Sequence, residues 1–467
     1  MPAQPNIQRT AGPEAPGLPG ADWIIARLER LPLSPWHIRA RVVIGVATFF
    51  DAFDNLAISF ALPVLAVLWK SPPQQIGLVL SSGFAGQLVG ALAAGWLAER
   101  YGRLRVTTFT IAIFGVMSLF CAIAWSPQSL MAFRFVQGIG LGGEVPVAAS
   151  YISEIAQAKK RGRFFALYES VFALGLLCAA LLGYWMVPRL GWQSMFVIGA
   201  APVVVVVFLQ RMLPESPRWL VTKGRIEEAA AALERIENEV IASGHTLAPV
   251  AALEKPVSLP PQNTRYAEIF EGIYLRRTIV VWVLWYCCFT VTYGLNTWLP
   301  TLYRTVFHLP LAQALRYGLI TQGCGFVSTL SCAFYIDRLG RRTWFAIAFL
   351  LGGASLASLW FFSAVTPGAV LLCSTVSFCF IATISLLLNL YTPELYPTRM
   401  RAFGASVGSG WQRVAAAVGP NIVGVMLASR GVQSVFVVFG SAAILGGVVT
   451  LLGATETKGR ALEQISP

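Results

Sequence analysis

Residues 95–103 read Gly95-Trp-Leu-Ala-Glu-Arg-Tyr-Gly-Arg103, a charged turn broken by glycine between two apolar stretches. The pattern of acid, arginine, glycine and arginine returns as Asp337-Arg-Leu-Gly-Arg341, so Arg100 and Arg338 stand 338 − 100 = 238 residues apart. Glu154 returns as Glu394 (394 − 154 = 240) and Arg163 as Arg401 (401 − 163 = 238). Glu215-Ser-Pro-Arg returns as Glu456-Thr-Lys-Gly-Arg460 (456 − 215 = 241). Four features that keep one spacing mark an internal duplication.

The duplicated halves are built for a bilayer. Of 467 residues, 56% are hydrophobic and 12% charged, against roughly a quarter charged in soluble domains; mean hydropathy is +0.65. One crossing needs roughly 20 apolar residues. Such windows recur at 41–68, 76–98, 104–124, 128–153, 163–187, 191–212, 276–303, 314–336, 343–363, 367–391, 402–427 and 432–454. The reading is an all-α membrane protein: twelve transmembrane helices in two pseudo-symmetric six-helix bundles around a central cavity. Residues 1–40 form an N-terminal segment, 41–212 the first bundle, 213–275 a linker, 276–454 the second bundle and 455–467 a tail. The linker carries one amphipathic helix, 224–238, and a Pro-rich tether, 256–263, too little for a catalytic domain.

The net charge of +13 is a topology signal, not a nucleic-acid footprint. Arg100, Arg103 and Arg105, then Lys159, Lys160, Arg161 and Arg163, then Arg338, Arg341 and Arg342, then Arg399 and Arg401 fall in alternate loops. Basic loops stay cytoplasmic, which places both termini there and the chain in the plasma membrane, for a bacterium the inner membrane. The eight cysteines fall inside the expected spans with no disulfide or zinc spacing, so no metal or cofactor is expected. No apolar leader is visible in the first 40 residues. His37, His245 and His308 fall outside the spans and form no nucleophile–base set, so an enzyme is not expected.

Together these stretches resemble the major facilitator superfamily along nearly the whole chain. The 95–103 loop, Arg134–Glu154, Pro214-Glu-Ser-Pro-Arg218 and Glu456-Thr-Lys-Gly-Arg-Ala-Leu-Glu463 resemble its sugar porter and organic ion transporter branch. Leu28-Glu-Arg-Leu-Pro-Leu and Phe50-Asp-Ala-Phe-Asp-Asn-Leu-Ala-Ile-Ser-Phe-Ala-Leu-Pro63 look most like the bacterial niacin transporters. Leu390–Thr398 with Gly408-Ser-Gly-Trp-Gln-Arg-Val414 is similar to the animal organic anion transporters. The resemblance implies anion binding at Arg413, proton carriage by Asp54 beside Arg134, and a monomer. It also implies cytoplasmic charge clusters of Arg100 and Arg103 with Glu154, and Arg338 and Arg341 with Glu394, that latch the outward-facing state. One departure is informative: Cys288-Phe-Thr-Val-Thr-Tyr-Gly-Leu-Asn296 lacks the paired glutamines of sugar porters.

Ionisable residues at membrane depth are costly and point to function. Asp51, Asp54, Arg134, Glu144, Glu169 and Arg413 are the candidates. An adjacent arginine favours a charged carboxylate and burial a neutral one, so parting Asp54 from Arg134 switches its proton; the plain alternative is a permanent ion pair. Asp51 lies one turn before Asp54. Glu144 follows the glycine-rich 138–143 run, where span four can approach a neighbour closely; Glu144 and Glu169 are further proton-site candidates, or buried hydrogen-bonded acids. Arg413 cannot shed its charge; its guanidinium fork suits a ligand carboxylate, or else a carboxylate of Glu144, Glu169 or Asp54. Phe289, Tyr293 and Asn296 recur on one helical face and would stack and orient a flat ring. Trp411, Gln322 and Asn389, with Gln412, are weaker candidates. The expected activity is proton-coupled uptake of a small organic acid, nicotinate first, by alternating access. Other aromatic or hydroxylated acids come next, and sugars, organic cations and a non-transporting nutrient sensor further back.

Overall fold

The computed structural model describes residues 20–155, 161–204, 211–250, 266–361, 366–396 and 401–457, with backbone alone at 161–167, 169–170, 333–338 and 401–402. In the first half, spans one to five are Pro35–Leu68, Pro73–Tyr101, Arg103–Ala122, Pro127–Ile155 and Arg161–Leu190, and span six starts as Gln193–Gly199. In the second, spans seven to twelve are Gly272–Thr305, Leu311–Leu339, Arg341–Ala357, Pro367–Glu394, Arg401–Arg430 and Val432–Gly453. Prolines open spans one, two and ten, where the missing N–H costs nothing.

Among the described residues eight helices are long and apolar enough to cross a membrane on composition alone. Spans four and eleven fall short because Arg134 and Glu144, or Gln412 and Arg413, interrupt them alongside runs of glycine. They are the polar lining of the bundle.

Within the first half, spans two, three and four pack most closely. A Cβ on Gly138 would sit 2.1 Å from the Gly83 carbonyl oxygen, and one on Gly142 2.0 Å from that of Gln87. Gly86 and Gly90 reciprocate against the carbonyls of Phe135 and Ile139. The glycine-rich run thus lets two backbones meet, as its spacing suggests.

The halves meet along spans two and eleven, five and eight, and one and seven. The first two pairs exchange under the repeat's two-fold, and the third is its own mate. The span two–eleven contact is tight where Gly77 abuts Pro420 and Gly424 abuts Pro73, at the end of the bundle away from the linker.

The duplication is visible in three dimensions at the linker end. Gly102 (φ 107°) and Gly340 (φ 87°) make matching corners in a region where a side chain is strained. At the first, Glu215 accepts from the backbone N–H of Arg103 and Leu104 at 3.0 Å each. At the second, Glu456 accepts from the N–H of Arg341 and Arg342 at 3.0 and 3.1 Å.

Ahead of span one, the helix Gly20–Glu29 lays Ile24, Ile25 and Leu28 against Leu233, Ile236 and Val240 of the linker helix Ile226–Ala242. Buried Glu237 accepts from Arg27 at 2.5 Å and from Arg30 at 2.8 Å. Span one begins before its apolar window, so His37 lies in its first turn, its Nδ1 2.9 Å from Ser34 Oγ as part of a capping box.

Candidate functional site

Asp51 and Asp54 lie three positions apart on span one and serve two different sites. Three residues advance a helix by about 300°, and that offset is enough to send the two carboxylates to different neighbours.

Asp54 is fully buried inside the first half. Its Oδ2 accepts from an Arg134 Nη at 2.7 Å and its Oδ1 from Gln137 Nε2 at 2.9 Å. The same Arg134 nitrogen reaches Gln137 Oε1 at 3.0 Å, closing a three-membered network. Gly83 makes room for it: a Cβ there would stand 3.1 Å from the guanidinium. This is the expected acid–arginine pair, with an amide that the sequence reading missed. Gln137 follows Arg134 by three residues on span four, one turn along the same face, which is the signal that could have found it.

Asp51 lines a cavity of about 70 Å³ between the halves, shared with Asn55, Gln87, Phe172, Tyr293 and Arg413. Asn55 Nδ2 donates to the Asp51 backbone oxygen at 2.8 Å and to Oδ1 at 3.2 Å; Gln87 Nε2 donates to Asn55 Oδ1 at 2.7 Å. These amides hold one wall polar. On the opposite wall, Gln412 donates to the Tyr293 hydroxyl at 3.0 Å. Tyr293 packs on Phe84 of the first half at 4.9 Å between centroids and on Phe289 at 5.6 Å. Phe289 in turn stacks on Trp285 at 5.3 Å. The aromatic face of span seven therefore exists, with Tyr293 as the member that reaches the cavity.

Arg413 crosses the interface. One Nη donates to the Gly142 carbonyl of span four at 3.3 Å, and among the described residues it forms no ion pair. Its Nε is buried without a hydrogen-bond partner. The Gly142 carbonyl is open to span eleven because the residue four positions on, Pro146, has no N–H to donate to it, while the missing side chain lets span two close against the α-carbon.

The remaining candidates sit elsewhere. Glu144 is enclosed between spans one, four and five, where Thr48 Oγ donates to it at 3.3 Å and itself lies 2.5 Å from the Tyr168 hydroxyl. The Glu169 and Arg338 side chains lie outside the described residues. Asn296 accepts from Gln322 at 2.7 Å, a pair away from the cavity lining. Trp411 packs on Trp282 and Tyr286 at 5.4 and 6.2 Å, and Asn389 is exposed, donating to the Ser385 carbonyl.

At the linker end, Arg103 donates to Glu154 at 3.0 Å and to Glu99 at 2.6 Å. Its repeat mate Arg341 stands 3.9 Å from Glu394. Arg100 instead lies over the rings of Trp96 and Tyr101, 5.4 and 5.6 Å from their centroids. Arg218 completes the first cluster with a bond to the Glu154 carbonyl at 2.8 Å and an ion pair to Glu29.

Two duplicated bundles, a buried acid–arginine pair and a polar cavity on the pseudo-axis define a multi-pass membrane transporter and not an enzyme. Residues 44–467 match the model of the "Sugar (and other) transporter" family, and the chain belongs to that family. It is 33% identical over 449 residues to the niacin transporter NiaP of Acinetobacter baylyi, covering 95% of this chain and 99% of that protein. It is 30% identical over 414 residues to the 4-hydroxybenzoate transporter PcaK of the same organism, covering 87% and 88%. Among solved structures, the inward open xylose transporter XylE of E. coli superposes with a TM-score of 0.72 at 18% identity over 92% of this chain and 99% of that one. That likeness is one of fold.

Proposed function

We propose that the chain takes up a small aromatic carboxylate, nicotinate first, together with protons by alternating access. The observation that carries this reading is Arg413. A permanent cation in the interface that forms no close ion pair among the described residues, sharing its cavity with Asp51 and bonded to a carbonyl of the opposite half, is prepared for a ligand carboxylate. A bidentate pair would replace the single long bond to Gly142, and Tyr293 would lie against the ring. The names of the relatives favour an aromatic acid as cargo, and the missing span-seven glutamines weigh against a sugar.

In this scheme Asp54 carries the proton and Arg134 with Gln137 sets its release; Glu144 and Glu169 are reserve acids. One anion with one proton moves no net charge, and a second proton would add about 2.3 kcal/mol per 100 mV of membrane potential. The cavity of about 70 Å³ is well below the roughly 300–1,000 Å³ of pockets that enclose small molecules. A ring acid therefore enters only when the halves part. Residues 41–212 and 276–454 act as the two rocking units, with 213–275 as tether. The segments 1–40 and 455–467 flank them on the cytoplasmic face of the bacterial inner membrane. The clusters around Arg103–Glu154 and Arg341–Glu394 gate the cycle, and a monomer suffices.

A hydroxylated aromatic acid is the second reading. Asp51, with Asn55 and Gln87 behind it, offers acceptors across the cavity from Arg413, where a ring hydroxyl could donate.

The test is uptake of radiolabelled nicotinate into proteoliposomes under an inward proton gradient. Gradient-driven uptake by the wild type that disappears in Arg413→Ala supports the carboxylate site. No uptake by the wild type rejects nicotinate and turns the screen to hydroxybenzoates. Full uptake by Arg413→Ala rejects the clamp.

A further inference from the structure

A second cavity, of about 310 Å³, opens at the linker end of the second half, where spans seven, nine and twelve converge. Its polar lining is Thr455 and three arginines: Arg276 and Arg277 from the second turn of span seven and Arg342 from the start of span nine. Arg276 donates to the Leu452 carbonyl at 2.7 Å, Arg342 to that of Leu451 at 2.6 Å and Arg277 to that of Leu395 at 3.1 Å. Each guanidinium carries five N–H donors, so each keeps four after its carbonyl bond. Among the described residues no carboxylate forms an ion pair with any of the three.

Capping the last carbonyls of span twelve would explain one arginine. It leaves unexplained why three converge, one of them bonded to a different helix end, although like charges repel at close quarters. An anion in the cleft removes that repulsion and satisfies the spare donors.

The surroundings say which anion. Above the cleft, toward the middle of the membrane, Ile279 of span seven and Leu445 and Val448 of span twelve are exposed, and at the level of the cleft Leu275 and Leu452, the latter by 73% and part of its lining, are exposed too. Residues 445, 448 and 452 recur at helical spacing and form one strip. A soluble anion has no use for it. A lipid whose phosphate sits among the arginines would lay its acyl chains along it.

We propose that this cleft binds the phosphodiester headgroup of an anionic phospholipid, pinning span seven to span twelve from the linker side. Basic pockets between transmembrane helices on the cytoplasmic side suit such headgroups. The site is separate from the central cavity, and its residues are unrelated to cargo binding.

The test is native mass spectrometry of the full chain released from detergent with equal amounts of phosphatidylglycerol and phosphatidylcholine. The wild type is expected to retain phosphatidylglycerol at least tenfold over phosphatidylcholine. Arg276→Gln/Arg342→Gln should lose that preference, whereas Arg430→Gln, at the opposite end of the bundle, should keep it. Millimolar inorganic phosphate should not displace the lipid; complete displacement would mark a soluble-anion site and overturn the lipid assignment. Equal retention of the two lipids by the wild type would overturn it too, whether or not the double variant folds. So would an undiminished preference in a folded double variant.

Discussion

Replacing Arg413 by alanine separates a ligand site from a structural prop. In the free protein its described polar contact is the bond to Gly142, at 3.3 Å near the weak end of hydrogen-bond geometry, with Nε unpartnered. Losing one such bond costs about 1 kcal/mol, and removing a buried charge gives part of that back. The variant should therefore unfold thermally close to wild type. Ligand affinity should behave differently. Truncating one partner of a buried, hydrogen-bonded charge pair costs about 2–5 kcal/mol, which at about 1.4 kcal/mol per tenfold weakens nicotinate binding roughly 30- to 4,000-fold. Arg413→Lys keeps the charge but loses the planar fork and should fall between. Nicotinate titration in detergent, paired with thermal unfolding of the same samples, measures both quantities. Unchanged affinity refutes the reasoning. So does a stability loss of about 3–5 kcal/mol, the signature of a broken buried ion pair, because it would make Arg413 part of the fold.

Asp54→Asn reverses the pattern. It leaves Arg134, which is 1% exposed, without its counter-ion, so stability should drop by about 3–5 kcal/mol, while nicotinate counterflow persists and gradient-driven accumulation fails. A variant as stable as the wild type would refute an ionised pair. Gly142→Ala puts a methyl 2.0 Å from the Gln87 carbonyl and should destabilise by about 1–3 kcal/mol or more. Gly410→Ala, whose Cβ meets nothing within 4 Å, should melt with the wild type; equal melting of all three would refute the close packing of spans two and four. Gly340→Ala sets a side chain at φ 87° and 2.6 Å from Glu456. Together with Gly102→Ala it should slow transport while leaving equilibrium nicotinate affinity unchanged, and a selective loss of affinity would refute a gating role.

Much of the fold was legible because it rests on local chemistry. The Gly-Arg corners with their distant acids survive in both halves, since each needs a positive-φ residue and a carboxylate for exposed backbone N–H groups. Charged residues inside apolar windows also announce themselves, which is why Asp54, Arg134 and Arg413 were found. The amides of the first half were not. Asn55, Gln87 and Gln137 carry no charge to flag them, and their roles appear only when spans one, two and four are brought together. Asp51 and Asp54 could not be told apart, because a spacing of three gives one face within 60° and not which neighbour each carboxylate meets. Among the span-seven aromatics, periodicity selected a stripe, but Tyr293 alone of the stripe reaches the cavity, a depth that packing against span one's partners decides. The docking of Gly20–Glu29 on the linker, through Arg27, Arg30 and Glu237, joins residues 210 apart and leaves no sequence period to read.

Span one runs unbroken past both carboxylates, so the cavity and the inner network are mounted on a single shaft. With side chains at a radius of roughly 5–6 Å, a twist of about 15° displaces each by about 1.4 Å. That is enough to break the 2.7 Å bond between Arg134 and Asp54. Under the proposed function, a torque that cargo applies at Asp51 would reach Asp54 without any intervening relay. By the same mechanics, a bound molecule that merely jams the rotation of this one helix would stall both halves of the exchange at once.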